Sequence, residues 1–359
     1  MNNYEYALQF LSTPLKPDKK LVMEAVKTDG FALQFASGVF KNDKEVVMEA
    51  IKSNGYAFQF ASELLKNDKV LAMEAIKTNE YALQFASEVL KNDREVVIEA
   101  IKTNGCALQF ASELLKNNKE MVLEAVKTCE NAFQFASELL KNNKEVVMEA
   151  VGINGYVFRY ANKLFKNDKD VAIQAIRKNE YALEYASELL KNDKEVVMEA
   201  VRRNGWALQY ASDLLKNDKE VVMEAVKPKK HYLVYLKYNG CAFQFASEVL
   251  KNDKQLVMQV VKLSGDALNH VSDTLKNDKE VVMSTVKDHG DALRYASESL
   301  RNDIDVVKMA ITKGKLTAFD YIGASLIHHR DIVLLFEKKI NILSTSKTSL
   351  FSDVTILCQ

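Results

Sequence analysis

The sequence predicts an all-α protein, an α-solenoid or superhelix of about thirteen 25-residue helical-hairpin repeats. Three observations predict it. The phrase Ala-Leu-Gln-Phe-Ala-Ser, or a near copy, begins at Ala7, Ala32, Ala57, Ala82, Ala107, Ala132, Val157, Ala182 and Ala207. It returns at Ala242, Ala267 and Ala292, with a worn copy at Ala318. Within each unit, apolar residues recur at helical rather than strand spacing. Finally, helices of about ten residues do not persist alone in water, so each has to be held by its neighbours, and stacking hairpins buries both apolar stripes.

The unit that starts at Tyr81 shows both halves. Ala82, Leu83, Phe85, Ala86, Val89 and Leu90 form the stripe of a first helix, and Val96, Val97, Ala100 and Ile101 that of a second, widened by Ile98. Lys91-Asn92-Asp93 separates them: Asn tolerates the left-handed turn that ends a helix, and Asp caps the next. Units join at Asn-Gly or Asn-Glu, as at Asn54-Gly55, Asn79-Glu80 and Asn104-Gly105. A left-handed Glu would be costly, which places the turn at Asn and lets Gly or Glu open the following helix. From Gly55 to Gly205 this slot alternates between Gly and Glu, as duplication of a 50-residue double unit would leave it.

Three further slots are nearly constant and polar. They are the Gln of Gln59, Gln84 and Gln109, the Ser of Ser62, Ser87 and Ser112, and the Glu of Glu74, Glu99 and Glu124 with Lys three residues later. Identical residues in every unit suit identical internal contacts, so hydrogen bonds between repeats and i,i+3 ion pairs are expected there rather than a ligand ladder.

The rule breaks in three places. Pro14 and Pro17 mark the first unit as a cap. After Lys227 the phrase Pro-Lys-Lys-His-Tyr-Leu-Val-Tyr-Leu-Lys interrupts the rhythm, with Pro228 stopping the preceding helix. Beyond residue 312 the consensus fades but keeps Ile332, Val333, Leu335, Phe336, Ile340 and Leu343. The expected organisation is an N-terminal arm 1–227, a degenerate repeat or hinge 228–237, a C-terminal arm 238–312, and a cap and tail 313–359.

The Glu195–Gly205 run and the Trp206–Ser212 phrase that follows it resemble the tandem-repeat family known as domain of unknown function 4116. The resemblance covers residues 4 to about 312 and implies helical repeats. It implies no activity and carries no catalytic residue to this chain. The segment 228–237 and residues 313–359 depart from the pattern.

Lys+Arg and Asp+Glu both total 49, and a neutral chain argues against general nucleic-acid or anionic-membrane binding. Cys106, Cys129, Cys241 and Cys358 form no CxxC pair, so reduced thiols in a cytoplasmic or otherwise intracellular protein are expected. No signal peptide or membrane-spanning run is visible. No phosphate-binding or dinucleotide fingerprint remains among the glycines, and His328-His329-Arg330-Asp331 is the one histidine cluster. No nucleophile–base arrangement stands out. The expectation is a protein that is not an enzyme, with no catalytic, cofactor-binding or metal residues, no cofactor and no small-molecule substrate.

The slot before the repeated phrase varies: Tyr6, Phe31, Tyr56, Tyr81, Cys106, Asn131, Tyr156, Tyr181, Trp206, Cys241, Asp266 and Asp291. A slot packing a fixed neighbour should not accept Trp, Cys and Asp alike. The aromatic members Tyr56, Tyr81, Tyr156, Tyr181 and Trp206 are therefore candidate partner-binding residues. Between Arg159 and Lys237 several slots turn basic. Arg159, Lys178 and Arg203 are the further candidates. Arg159 replaces the Gln and Lys163 the usual Glu. Lys178 and Arg203, with Arg177, Arg202, Lys227, Lys229 and Lys230, are expected to form a basic strip for an acidic segment, with Tyr181 and Trp206 as neighbouring anchors. The reading these features favour is a non-catalytic scaffold that binds a protein or peptide along the superhelix. The alternative is a single-stranded nucleic-acid reader whose slot rings stack on bases.

Overall fold

At Asn54, Asn79, Asn104, Asn154, Asn179 and Asn204 one asparagine ends a long helix and starts the next repeat. In the computed structural model, which describes residues 18–228, 239–313 and 316–340, the Asn104 amide still donates to the Ala100 carbonyl, closing helix Arg94–Thr103. Its Oδ1 accepts from the Cys106 amide at 3.0 Å, capping the six-residue 3-10 helix Gly105–Phe110. Reaching that amide requires the extended backbone typical of a cap, and Asn104 has φ −147°. The left-handed turn expected at Asn is therefore not made. Asn92 has φ −102°, and no residue among those described has a positive φ. Gly and Glu do open the following helix, as at Gly105–Phe110 and Glu80–Phe85.

The first half of the unit is helical as expected, but in two pieces, a 3-10 helix and a short α-helix, rather than as one continuous helix. After Gly105–Phe110 the chain runs extended through Ala111 and Ser112, then makes the single α-turn Glu113–Lys116. Ser112 is the reason. Its amide donates to the Lys91 carbonyl of the preceding repeat at 2.9 Å, and its Oγ donates to Asn92 Oδ1 at 2.6 Å. The same Oγ accepts from the Leu115 amide at 3.3 Å and caps the short turn. A helical Ser112 would have its amide directed along its own axis, where it could not reach the neighbour. Ser62, Ser87, Ser137, Ser212, Ser247, Ser272 and Ser297 repeat the joint.

The other constant polar slots also serve internal contacts. Gln109 Nε2 donates to the Cys106 carbonyl, and Lys127 pairs with Glu124 at 2.6 Å. Asp93 caps its helix as expected, accepting from the Glu95 and Val96 amides at 2.9 and 3.2 Å. It also receives Lys69 of the preceding repeat at 2.9 Å. Burial pushes the Asp93 carboxyl up, but the Lys69 ammonium and the two amides outweigh that and hold it below the usual range.

Ala82, Leu83, Ala86, Leu90, Val96, Val97, Ala100 and Ile101 are buried, and their counterparts form the core of each repeat. At about 2 kcal/mol per large apolar side chain, this layer is the main stabilising term. Helix Arg94–Thr103 packs between Lys69–Thr78 and Lys119–Thr128. At the junction glycine the layers approach closely, and a Cβ on Gly105 would meet the Ala125 carbonyl.

The described residues are all-α, without a strand, in two compact units, 1–185 and 186–359, each built of such repeats. Pro14 and Pro17 lie outside the described residues, as does the expected hinge apart from Pro228. In the C-terminal stretch Ile332 is buried, whereas Val333, Phe336 and Ile340 keep substantial exposure; Leu343 lies outside the described residues.

Candidate interaction surface

The variable slot is the second residue of most of the 3-10 helices, and where it holds Tyr56, Tyr81 or Trp206 the ring reaches across to the next repeat. Tyr56 stands edge-on to Phe85 with centroids 5.9 Å apart, Tyr81 to Phe110 at 6.1 Å, and Trp206 to Phe245 at 5.5 Å. These three and Tyr181 are half-buried, whereas Tyr156 is 39 % exposed. Such pairs contribute about 1 kcal/mol beyond burial and tie repeat to repeat.

In three repeats the slot residue is polar or sulfur-bearing and meets a different partner. Where the slot is Asn131, the ring 29 residues on is Tyr160, whose hydroxyl donates to Asn131 Oδ1 at 2.6 Å. Where it is Asp266, Tyr295 donates to it at 3.2 Å and Arg294 pairs with it at 2.7 Å. Where it is Cys106, the partner is Cys129, joined to it by a disulfide with Cα atoms 5.7 Å apart. This corrects the expected reduced thiols: Cys106 and Cys129 fill the positions held one repeat earlier by Tyr81 and Asn104, which face each other across the joint. Cys129 cannot cap as Asn104 does, and the following 3-10 helix begins only at Ala132. Cys241 is a free, half-buried thiol, and Cys358 lies outside the described residues.

The basic candidates have distinct settings. In the first compact unit, the Arg159 guanidinium lies 5.8 Å from the Tyr160 ring centroid and 5.7 Å from that of Tyr185, a cation held between two rings. Lys163 stands where other repeats have Glu, leaving Lys166 without the i,i+3 carboxylate that Lys91 or Lys116 has. Burial, then Arg159 and Lys163, push the Lys166 ammonium down. Lys178 is exposed at the end of helix Lys169–Lys178. In the second unit Arg203 is exposed at the end of Lys194–Arg203, 4.0 Å from the Glu199 carboxylate. Lys227 is paired with Glu224 at 2.8 Å, and Lys229 and Lys230 lie outside the described residues.

Sequence reasoning missed an exposed apolar row. Val89 was expected in the buried stripe beside Leu90. The extended Ala86–Ser87 step resets the helical phase, so Leu90 turns inward and Val89 outward. The same holds in the first unit for Val39, Leu64, Leu114, Leu139 and Leu164, all 69–74 % exposed. In the second unit Leu189, Leu214 and Val249 continue the pattern until Thr274 and Ser299 replace it.

In the first unit a glutamate precedes the apolar residue at Leu64, Val89, Leu114 and Leu139. The side chains of Glu63, Glu88, Glu113 and Glu138 are 78–88 % exposed. The lysines that pair with them, Lys66, Lys91, Lys116 and Lys141, are only 17–20 % exposed, at 2.8–3.1 Å. Carboxylates and methyl groups therefore form the outermost layer.

His329 of the histidine cluster accepts from the Asp331 amide at 3.3 Å, a helix-start contact. Among the described residues no three His, Cys, Asp or Glu side chains converge as a metal site would need. No helix among them is long and apolar enough to cross a membrane.

The fold defines a class, an all-α tandem-repeat protein whose units are held together by their own side chains. The chain belongs to the family described as domain of unknown function DUF4116, which matches residues 18–66, 68–116, 118–166, 143–191, 168–213, 193–236, 232–276 and 278–327. Most of these matches span nearly two 25-residue units. No curated protein and no solved structure matched the chain.

Proposed function

We propose that this protein is a non-catalytic helical-repeat scaffold that binds a protein or peptide partner along its repeats. The exposed Val or Leu that recurs at one position in repeat after repeat carries this reading. A single exposed apolar residue needs no explanation, but a row of them rimmed by polar groups marks a protein-binding surface. The Arg159, Lys163 and Lys166 cluster supports an acidic contact on the partner at that repeat. Tyr156, the most exposed slot ring among the described residues, lies on the same repeat. The nucleic-acid alternative is weakened because Tyr56, Tyr81 and Trp206 already engage the next repeat's ring.

Crosslinking with affinity purification and mapping of the crosslinks tests the reading. A partner protein crosslinked to several consecutive repeats is expected. Failure to recover one, together with salt-sensitive binding of single-stranded RNA or DNA, would transfer the chain to the alternative.

A further inference from the structure

Resting on the scaffold reading, we propose that Leu64, Val89, Leu114 and Leu139, each with the glutamate that precedes it, form a docking track for a basic amphipathic helix of a partner protein. The four side chains belong to one compact unit and to equivalent positions of successive repeats. Nothing in the repeat's own packing requires them to be apolar, because the neighbouring Leu65, Leu90 and Leu115 are buried and Leu140 is half-buried in their place. A polar residue would serve solubility better at each site, and Thr274 and Ser299 show that the repeat tolerates one.

Charge selects the occupant. The ammonium groups of Lys66, Lys91, Lys116 and Lys141 are drawn against the surface, and the carboxylates they pair with stand outermost. A second copy of this row would oppose carboxylate to carboxylate, and nucleic acid or an anionic lipid surface would meet the same repulsion. Lys or Arg side chains flanking an apolar stripe complement both features.

Spacing selects the form. Successive repeats are one helix layer apart, about 8–10 Å. An α-helix advances about 10.5 Å in seven residues, so an apolar position repeated each heptad meets successive rungs. The track has defined ends. Val39 is preceded by Gly38, without a carboxylate, and Leu164 by Lys163, which reverses the charge. Four rungs match a helix of about three heptads.

The test uses the full chain and a synthetic helical peptide of about three heptads, with Leu at the heptad core positions and Lys elsewhere. Its counterpart carries Glu in place of Lys. By fluorescence anisotropy the Leu/Lys peptide is expected to bind at least tenfold more tightly than the Leu/Glu peptide, and to weaken as salt rises. Combining Leu64→Ser, Val89→Ser, Leu114→Ser and Leu139→Ser should reduce that binding at least tenfold with helical ellipticity unchanged. Should that variant fold poorly, Glu63→Gln, Glu88→Gln, Glu113→Gln and Glu138→Gln together keep the apolar row and should flatten the salt dependence.

Equal binding of the two peptides, or binding unaltered in both variants, overturns the track. So does binding to phosphatidylcholine vesicles that the serine variant abolishes, which would assign the row to a lipid surface. If a crosslinked partner maps to other repeats and the Leu/Lys peptide does not bind, the track falls and the scaffold stands. The scaffold reading itself fails only if no partner is crosslinked anywhere on the chain.

Discussion

Asn104 Nδ2 donates a 3.1 Å hydrogen bond to the Tyr81 hydroxyl, and one repeat later the same two positions are Cys106 and Cys129, linked by a disulfide. The slot and the cap that faces it thus change together: hydroxyl with amide in one repeat, sulfur with sulfur in the next. In these two repeats the slot and its partner form a contact pair within the protein itself.

Reducing the Cys106–Cys129 bond should therefore lower stability without dissolving the fold, by about 3 kcal/mol for a loop of this size. Urea unfolding with and without dithiothreitol measures it. The double substitution Cys106→Tyr with Cys129→Asn rebuilds the neighbouring pair and provides Phe135 with an edge-on ring. It should be insensitive to reductant and more stable than the double alanine variant by about 1 kcal/mol. Coincident curves for wild type in both conditions would remove the disulfide from the account.

Two glycines should respond oppositely to alanine. A Cβ at Gly105 meets the Ala125 carbonyl of the next layer, a backbone atom that cannot step aside, so Gly105→Ala should cost about 1–3 kcal/mol. Gly38 opens the short helix Gly38–Lys41 with nothing near its Cβ, so Gly38→Ala should stabilise by about 0.5–1 kcal/mol. Denaturant midpoints of the two variants decide it. A shared direction would mean that close approach is not what the junction glycine provides.

Acid should weaken the joints between repeats. The Lys254 ammonium holds the Asp278 carboxyl below its usual range, and Lys219 does the same for Asp253. A depressed carboxyl contributes stability that is present above its unfolded value near 3.9 and is lost as pH falls through the folded value. The melting temperature is expected to hold from about pH 8 to pH 5 and to drop below about pH 4. Asp278→Asn keeps the cap, removes the charge and should shallow that drop while changing stability near pH 7 by less than about 1 kcal/mol.

The period, the Asp caps, the Glu–Lys pairs and the inter-repeat role of serine were legible in the sequence, because each depends on residues near one another or identical in every unit. The direction of Val89 was not. A helical wheel run through Ala86 and Ser87 keeps one phase, whereas the chain breaks helix there so that Ser87 can reach Lys66 and Asn67. The Cys106–Cys129 bond was hidden for a related reason: a separation of 23 residues means contact only once the layer geometry is known. Among the candidate residues, Tyr81 and Trp206 were correctly placed in one equivalent slot, but their engagement with Phe110 and Phe245 depends on the same layer geometry.

Within each compact unit one interface, repeated, holds successive repeats together. Deleting Tyr81–Gly105 tests it most directly, since the cut joins Glu80 to Cys106 in register and leaves Ser112 facing Lys66 and Asn67 as Ser87 does now. Circular dichroism and urea unfolding of the shortened chain are expected to show unchanged helicity per residue and a cooperative transition, with a slightly smaller denaturant slope. Loss of helicity throughout the chain would contradict a structure built from interchangeable layers.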